Sequence, residues 1–387
     1  MTSVAQRIIA AVSEVAGDGA PLHAPVFRGN EQAYVGDAIS STFVSSVGAY
    51  VTRFEQELAA FTGAKAAVAV VNGTAALHVA LLMAGVRRGD EVIVPALTFI
   101  ATANAVSYCG ASPHFADSEP GHGGLCPQRL RAHLEEICDI RDGACVNRKT
   151  GRVIRAMIPV HVFGHPARMD ELMRVAEDFH LAVVEDAAES LGSRMGGRHT
   201  GTFGLAGALS FNGNKIITTG GGGAILFNDA ELAARARHLT TTAKVPHAWE
   251  YRHDAIGFNY RMPNLNAALG CAQLEALEDM LRSKRALRGR YGRAFADVEG
   301  VSLMDEPESC ESNFWLQTLV LDEGLEDQRD EILEALNAAG FMSRPVWGLL
   351  SEQPPYSGAP RAGLAVARSL ARRIINIPSS AYLGEEA

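Results

Sequence analysis

The sequence predicts an α/β fold with a large, mostly parallel mixed sheet and a smaller α+β unit at the C-terminal end. Three observations predict it. Short runs that are apolar throughout, such as "AAVAVV" and "LAVVED", alternate with helical segments across the first two thirds of the chain. Strands buried on both faces read this way, because crossover helices cover both sides of a parallel sheet. The 387 residues suffice for two units, and beyond residue 265 the pattern changes to a half-exposed strand and amphipathic helices.

The elements follow in order. "MTSVAQRIIAAVSEVAGDGAP" contains Glu14 and Asp18 and lacks a long apolar core, so it reads as a short amphipathic helix and not a signal peptide. "FVSSVGAYVTRFEQELAAFTGA" is a loop and then a helix, with Val51, Phe54, Leu58 and Phe61 on one face. Residues 66 to 86 carry no charge apart from a possible His78 proton, yet "NGT" divides them. They read as strand, turn and core helix, and not as a membrane span of about 20 continuous apolar residues. "DEVIVPAL", "SPHFAD", "RVIRAMIPVHVFG", "LAVVEDAAES", "AGALSFN" and "GGAILFN" are further strands, with helices "TFIATANAVSYCG" and "ARMDELMRVAEDFH" among them. "ICDIRDGACVNRKTGRV" is charged and irregular and reads as a surface excursion. Residues 264 to 297 form a long helical stretch; "NFWLQTLVLD", "DQRDEILEALNAAG" and "SRPVWGLL" follow as strand, helix and a Pro-bearing segment. A large unit at 1–264 and a small one at 265–387 are expected.

Composition narrows the function. The net charge of −9 argues against non-specific nucleic-acid binding. Six cysteines include no Cys-x-x-Cys pair, so reduced thiols in a cytoplasmic protein are expected.

Several features could carry chemistry. Gly220 to Gly223 precede a strand and not a helix, unlike a dinucleotide fingerprint, and fit a tight turn between strands. "NGTAALHVAL" puts Gly73 and Thr74 where a strand gives way to a helix. Free amides there suit a phosphate, although Asn72 or Thr74 could simply cap the helix. An apolar strand ends in Glu185 and Asp186, with Glu189 just beyond; they read as a structural ion pair or cap, or as carboxylates facing a ring nitrogen or a metal. Lys215 is the only Lys, Arg, Asp or Glu between Arg198 and Asp229. A partly desolvated amine keeps a neutral fraction able to attack a carbonyl, whereas an ammonium reaching solvent is the plainer reading. His161 and His165 share no helical face and have no third ligand nearby, so no metal is expected. A phosphate seat, a strand-end carboxylate and an isolated lysine are together the parts that hold pyridoxal phosphate.

The motifs "VNGTAALH", "DEVIVPALTFIATANAV", "VEDAAES", "SFNGNKIITTGGGGAI" and "GFNYRMPNLNAALG" occur in this order. With them the chain resembles the DegT/DnrJ/EryC1/StrS sugar aminotransferases over nearly its whole length. The resemblance implies the type I aminotransferase fold and a homodimer with shared active sites. It implies that Lys215 binds the cofactor aldehyde and moves the proton, and that Asp186 pairs with the pyridine nitrogen. Gly73, Thr74 and Ser210 would donate to the phosphate, and Asn259 would reach it from the partner subunit. Phe99 would stack on the ring, and Glu189, in place of the Gln or His of many relatives, would lie near the cofactor hydroxyl or the sugar. Some dehydratases of the family carry histidine at the lysine position; Lys215 therefore implies transamination.

"FVSSVGAYVTRFE", "HVFGHPARMD" and "SRPVW" look most like the subgroup acting on UDP-4-keto-6-deoxy-N-acetylhexosamines, of the bacillosamine and legionaminic acid type. Glutamate would be the amino donor, leaving as 2-oxoglutarate, and Ser46, Gly48, Arg344 and Trp347 would line the sugar-nucleotide site. GDP-perosamine synthases share much of the lysine motif and are the alternative within the class. A non-catalytic regulatory protein on the same fold and a nucleotide-binding oxidoreductase are the rivals from other classes.

Overall fold

The computed structural model describes residues 3–385. Helix α1 (Val4–Ala16) begins at Ser3, whose hydroxyl accepts from the Gln6 amide while the Gln6 side chain accepts from the Ser3 amide. This reciprocal capping satisfies two donors that a helix start leaves open. Helices α2 (Glu31–Ser40) and α3 (Ala49–Thr62) follow, and α3 buries Val51, Phe54 and Leu58 with Phe61 at the rim.

The large sheet has nine strands: β1 (Ala66–Val70), β2 (Glu91–Pro95), β3 (Ser112–Ala116), β4 (Cys138–Arg141), β5 (Ala144–Asn147), β6 (Val153–Met157), β7 (Ala182–Asp186), and then, after the short ribbon of β8 (Arg194–Met195) and β9 (Arg198–His199), β10 (Ala206–Ser210) and β11 (Gly223–Phe227). Across the sheet they run β1-β11-β10-β7-β6-β2-β3. The pairs from β10 to β3 are parallel, and β11 is antiparallel to both its neighbours. Helices α4 (Gly73–Met83), α5 (Ala101–Tyr108), α6 (Pro127–Ile137), α7 (Met169–Asp178) and α8 (Ala230–Thr240) belong to this part of the chain. Successive strand residues feed opposite faces. Val68, Ala208 and Ile225 join one apolar cluster, while Ala67, Leu209 and Leu226 join another. The core therefore lies on both sides of the sheet, as the uniformly apolar strands require.

The expected surface excursion is instead a hairpin. β4 and β5 pair antiparallel, and β5 extends the sheet from β6. Asp142 and Gly143 at its tip have φ of 50° and 72°. That Asp-Gly pair is the strongest short hairpin signal a sequence carries, and the surrounding charges masked it.

A second ribbon, β12 (Lys244–Val245) with β13 (Arg252–His253), leads to α9 (Asn264–Glu275) and α10 (Leu277–Ala294), so the long helical stretch breaks at Ala276. Next come β14 (Val301–Leu303), β15 (Cys310–Glu311), β16 (Gln317–Leu321), α11 (Arg329–Ala338), β17 (Arg344–Pro345), α12 (Ala365–Arg373) and β18 (Ile374–Ile377). Four of these strands make a separate antiparallel sheet, β14-β16-β18-β17.

The division expected at residue 264 differs from the packing at both ends. Ile8 and Val12 of α1 share a core with Leu287, Tyr291, Leu336 and Ile375. Ala267 and Cys271 of α9 instead join the cluster on the large sheet. Each helix goes where its apolar face finds a partner, regardless of position along the chain. No helix among the described residues is long and apolar enough to cross a membrane.

Candidate active site

A cavity of about 410 Å³ opens at the carboxyl ends of β7 and β10, beside the start of α4. In parallel sheets this is where ligands gather. Each wall of the cavity has a local cause.

The first wall is the turn from β1 into α4. Asn72 is the cap: its Oδ1 accepts from the Ala75 amide at 2.8 Å and its carbonyl from the Ala76 amide. The Gly73 and Thr74 amides keep no partner among the described residues. A Cβ on Gly73 would stand 2.9 Å from the Ser210 Cβ, and one on Gly223 would stand 2.5 Å from the Asn72 carbonyl carbon. Glycine at both places lets β10 and β11 lie against the helix start and leaves the amides open.

The second wall is the end of β7. Asp186 is buried; its Oδ2 accepts from Thr102 Oγ1 at 2.8 Å and its Oδ1 from the Ala188 amide at 3.2 Å. Burial pushes its carboxyl above the usual range, against the pull of these bonds and of the Lys215 charge. Glu189 is likewise raised, by burial first, with Lys215 opposing. Its Oε2 accepts from the Phe163 amide at 2.9 Å. Phe163 has φ of 55°, uncommon outside glycine, and its ring stacks on Trp347 at 5.0 Å.

The third wall is the loop between β10 and β11. Phe211 N donates to Gly222 O and Thr219 N to Phe211 O, closing the loop on itself. Lys215 rises from it, with Nζ 3.3 Å from Glu189 Oε1 and 3.8 Å from the centroid of the Trp315 ring. Of the four glycines only Gly220 has a positive φ, 79°. Gly222 and Gly223 serve close approach: a Cβ on Gly222 would lie 2.2 Å from Thr219 Oγ1.

Gly73, Thr74, Phe99, Asp186, Glu189, Ser210, Lys215 and Trp347 thus line one cavity. Four other expected residues do not. Ser46 and Gly48 line a different cavity, about 830 Å³, with Thr241 and Arg261. It is larger, but it lacks the buried carboxylates and the amine on which chemistry depends. Gly48 packs on Asn264, where a Cβ would fall 2.2 Å from the amide carbon, and this seats the 42–48 loop on α9. Asn259 is exposed and bridges Thr241 through its backbone. Arg344 is exposed on β17, its guanidinium bonded to Asn337 and to the Ser343 carbonyl. Sequence reasoning missed Thr102 and Trp315. Thr102 lies one helical turn past Thr98 in a motif already noted, so a signal existed. Trp315 arrives from the far end of the chain and gave none.

The arrangement fits pyridoxal phosphate on its own terms. Open helix-start amides beside the Ser210 hydroxyl suit a phosphate. A buried carboxylate held above its usual range lacks a cation, and a protonated pyridine nitrogen would supply one. His161 and Glu185 pair beneath this site, and no group of three metal-ligating side chains is present among the described residues.

The profile of the DegT/DnrJ/EryC1/StrS aminotransferase family matches residues 25–387. The chain belongs to this family. The Bacillus subtilis protein EpsN, which carries the name of a pyridoxal phosphate-dependent aminotransferase, is 39% identical over 94% of this chain and 92% of its own. A GDP-perosamine synthase of Caulobacter vibrioides is 39% identical over 94% and 93%. A crystal structure of a DegT/DnrJ/EryC1/StrS aminotransferase from Brucella abortus superposes with a TM-score of 0.82 at 30% identity, over 91% of each chain. This DegT/DnrJ/EryC1/StrS protein is therefore a pyridoxal phosphate-dependent sugar-nucleotide aminotransferase with the fold of those enzymes.

Proposed function

We propose that the enzyme aminates C4 of a UDP-linked 2-acetamido-2,6-dideoxy-hexos-4-ulose, giving a UDP-4-amino-4,6-dideoxy-N-acetylglucosamine. Glutamate supplies the amino group and leaves as 2-oxoglutarate. One observation supports the aminotransfer chemistry: a single cavity joins the open α4 amides, the under-satisfied Asp186 carboxylate and the Lys215 amine. The UDP-linked acceptor rests on the likeness of "FVSSVGAYVTRFE", "HVFGHPARMD" and "SRPVW" to that subgroup.

Bound there, the cofactor supplies a carbonyl that carries the amino group and a ring that withdraws electrons from the adjacent carbon. The chain does the rest. Gly73, Thr74 and Ser210 hold the phosphate, and Asp186 keeps the ring nitrogen protonated. Lys215 takes the proton from the donor's α-carbon and returns one to C4 of the keto sugar. Glu189, at 3.3 Å from Nζ, would serve as the counter-ion that steadies the amine. Phe99 and Trp347 line the cavity, and in this reading Phe99 stacks on the cofactor ring.

In this reading a second copy of the chain supplies Asn259, because within one chain that residue stands outside the cavity. The surface bearing Ser46 and Gly48 is then part of the same composite site, and the reaction runs in the cytoplasm. The 39% identity to a GDP-perosamine synthase favours a second reading, with a GDP-linked 4-keto sugar as acceptor.

Product formation across UDP-, GDP-, dTDP- and CDP-linked 4-keto-6-deoxy sugars decides between them. The UDP-N-acetyl substrate is expected to turn over fastest, and a faster GDP substrate overturns the first reading. Lys215→Ala is expected to lose at least about 10³-fold in turnover, the upper part of what a positioned acid–base contributes. A variant that still cycles at the wild-type rate sinks the mechanism.

A further inference from the structure

Lys215 does not rest on Glu189 alone. Its Nζ lies 3.8 Å from the centroid of the Trp315 ring, so the amine is held between a carboxylate and an aromatic face. A cation over an indole is attracted by the ring's negative face, more strongly where water is excluded. Trp315 is buried, and nothing in the proposed proton transfer uses it.

Trp315 is held at three points, one on its ring and two on its backbone. Its Nε1 donates to the Asn214 carbonyl, next to Lys215, at 2.7 Å. Its backbone amide donates to Asn313 Oδ1 at 2.8 Å, and Asn313 Nδ2 donates to the carbonyls of Glu189 and Leu191. Its carbonyl accepts from Nζ of Lys284 at 2.7 Å.

Lys284 is fully buried and has no carboxylate partner among the described residues; its other bond goes to the Ser379 carbonyl. Burial holds its amine well below the usual lysine range. A neutral amine has two N–H groups, which matches the two carbonyls it meets. The residue before the ring, Phe314, has φ of 46°. Such backbone persists only where its surroundings over-determine it.

We propose that Trp315 is a positioning residue for Lys215. Its indole face is the floor on which the free amine rests, and Asn214, Asn313 and Lys284 hold that floor level. The proposal rests on Lys215 being the amine that bonds the cofactor. Without the floor the four-carbon stem regains its rotamers, and the amine seldom points at the incoming aldehyde.

The test uses full-length protein freed of cofactor. Pyridoxal phosphate is added, its capture is followed by absorbance, and the bond is fixed with borohydride and located by peptide mass spectrometry. In the wild type the label falls on Lys215; a label elsewhere overturns both the lysine assignment and the proposal. Capture is expected to slow about tenfold in Trp315→Leu and about threefold in Trp315→Phe, which keeps a weaker ring and loses the bond to Asn214. Inorganic phosphate should still compete with wild-type strength, because the α4 seat is untouched. Capture at the wild-type rate in both variants overturns the proposal, and so does loss of phosphate competition, which would make Trp315 a general support of the pocket. Should Trp315→Leu melt far below the wild type, the Trp315→Phe ratio alone decides.

Discussion

Glu185 and Asp186 are neighbours on one strand, and their side chains leave it on opposite faces. On one face Glu185 accepts from the amides of Gly201, Phe203 and Gly204 and meets His161 at 3.1 Å. On the other, Asp186 has one hydroxyl and one amide and looks into a cavity. Both are buried. The difference shows how a fold separates structure from chemistry: a carboxylate that is fully bonded builds the loop around it, whereas one left short of partners waits for a ligand.

Substitution at each carboxylate tests this separation of roles. Asp186→Asn is expected to lower turnover by about 10²-fold or more while leaving the cofactor-free protein as stable as before, or slightly more so. An active Asp186→Asn enzyme would end the pyridine-nitrogen assignment. Glu185→Gln is expected to do the reverse, costing about 3 kcal/mol in denaturant unfolding because it breaks a buried pair, with normal activity per folded molecule. A stable Glu185→Gln protein would erase the contrast between the faces.

Acid sharpens it further. His122 is held down to about 4, and His165 and His199 to about 3, all by burial first. The unfolded chain takes these protons near 6.5 while the folded chain resists them. Their contribution to stability is therefore present above about 6.5 and is lost as pH falls toward 4. The melting temperature is expected to drop by about 5 °C or more between pH 7 and pH 5. Asp186 and Glu189 act in the opposite sense. Their raised carboxyls favour the folded state while protonated, so cofactor-free protein loses some stability as pH rises above the ordinary carboxylate range near 4. Asp186→Asn should flatten that slope in a pH series of melts. The smallest effect belongs to Asn72→Ala, which loses only a helix cap worth about 1 kcal/mol.

Much of this site is local in sequence, and that part was legible. A strand followed by Asn-Gly-Thr, a strand ending in Glu-Asp, and a lysine without charged neighbours each carry their own signal, and the structure gathers them because parallel strands end on the same side. What was not legible depends on distant packing. Trp315 reaches Lys215 from the C-terminal part of the chain, and Lys284 holds its backbone there. The allegiance of α1 to the second core depends on where a partner face lies, which periodicity does not encode. Ser46, Gly48, Asn259 and Arg344 were assigned by resemblance alone, and no local pattern said which cavity they face.

Phe163 joins the cavity's chemistry to its shape. Its amide is tied to the same carboxylate that steadies the Lys215 amine, and its ring leans on Trp347. A ligand that turns the Glu189 carboxylate thereby releases an amide whose backbone sits in an uncommon conformation. The two oxygens of one carboxylate thus tie the Lys215 amine to the buried Phe163 backbone and, through the Phe163 ring, to Trp347 on the cavity wall.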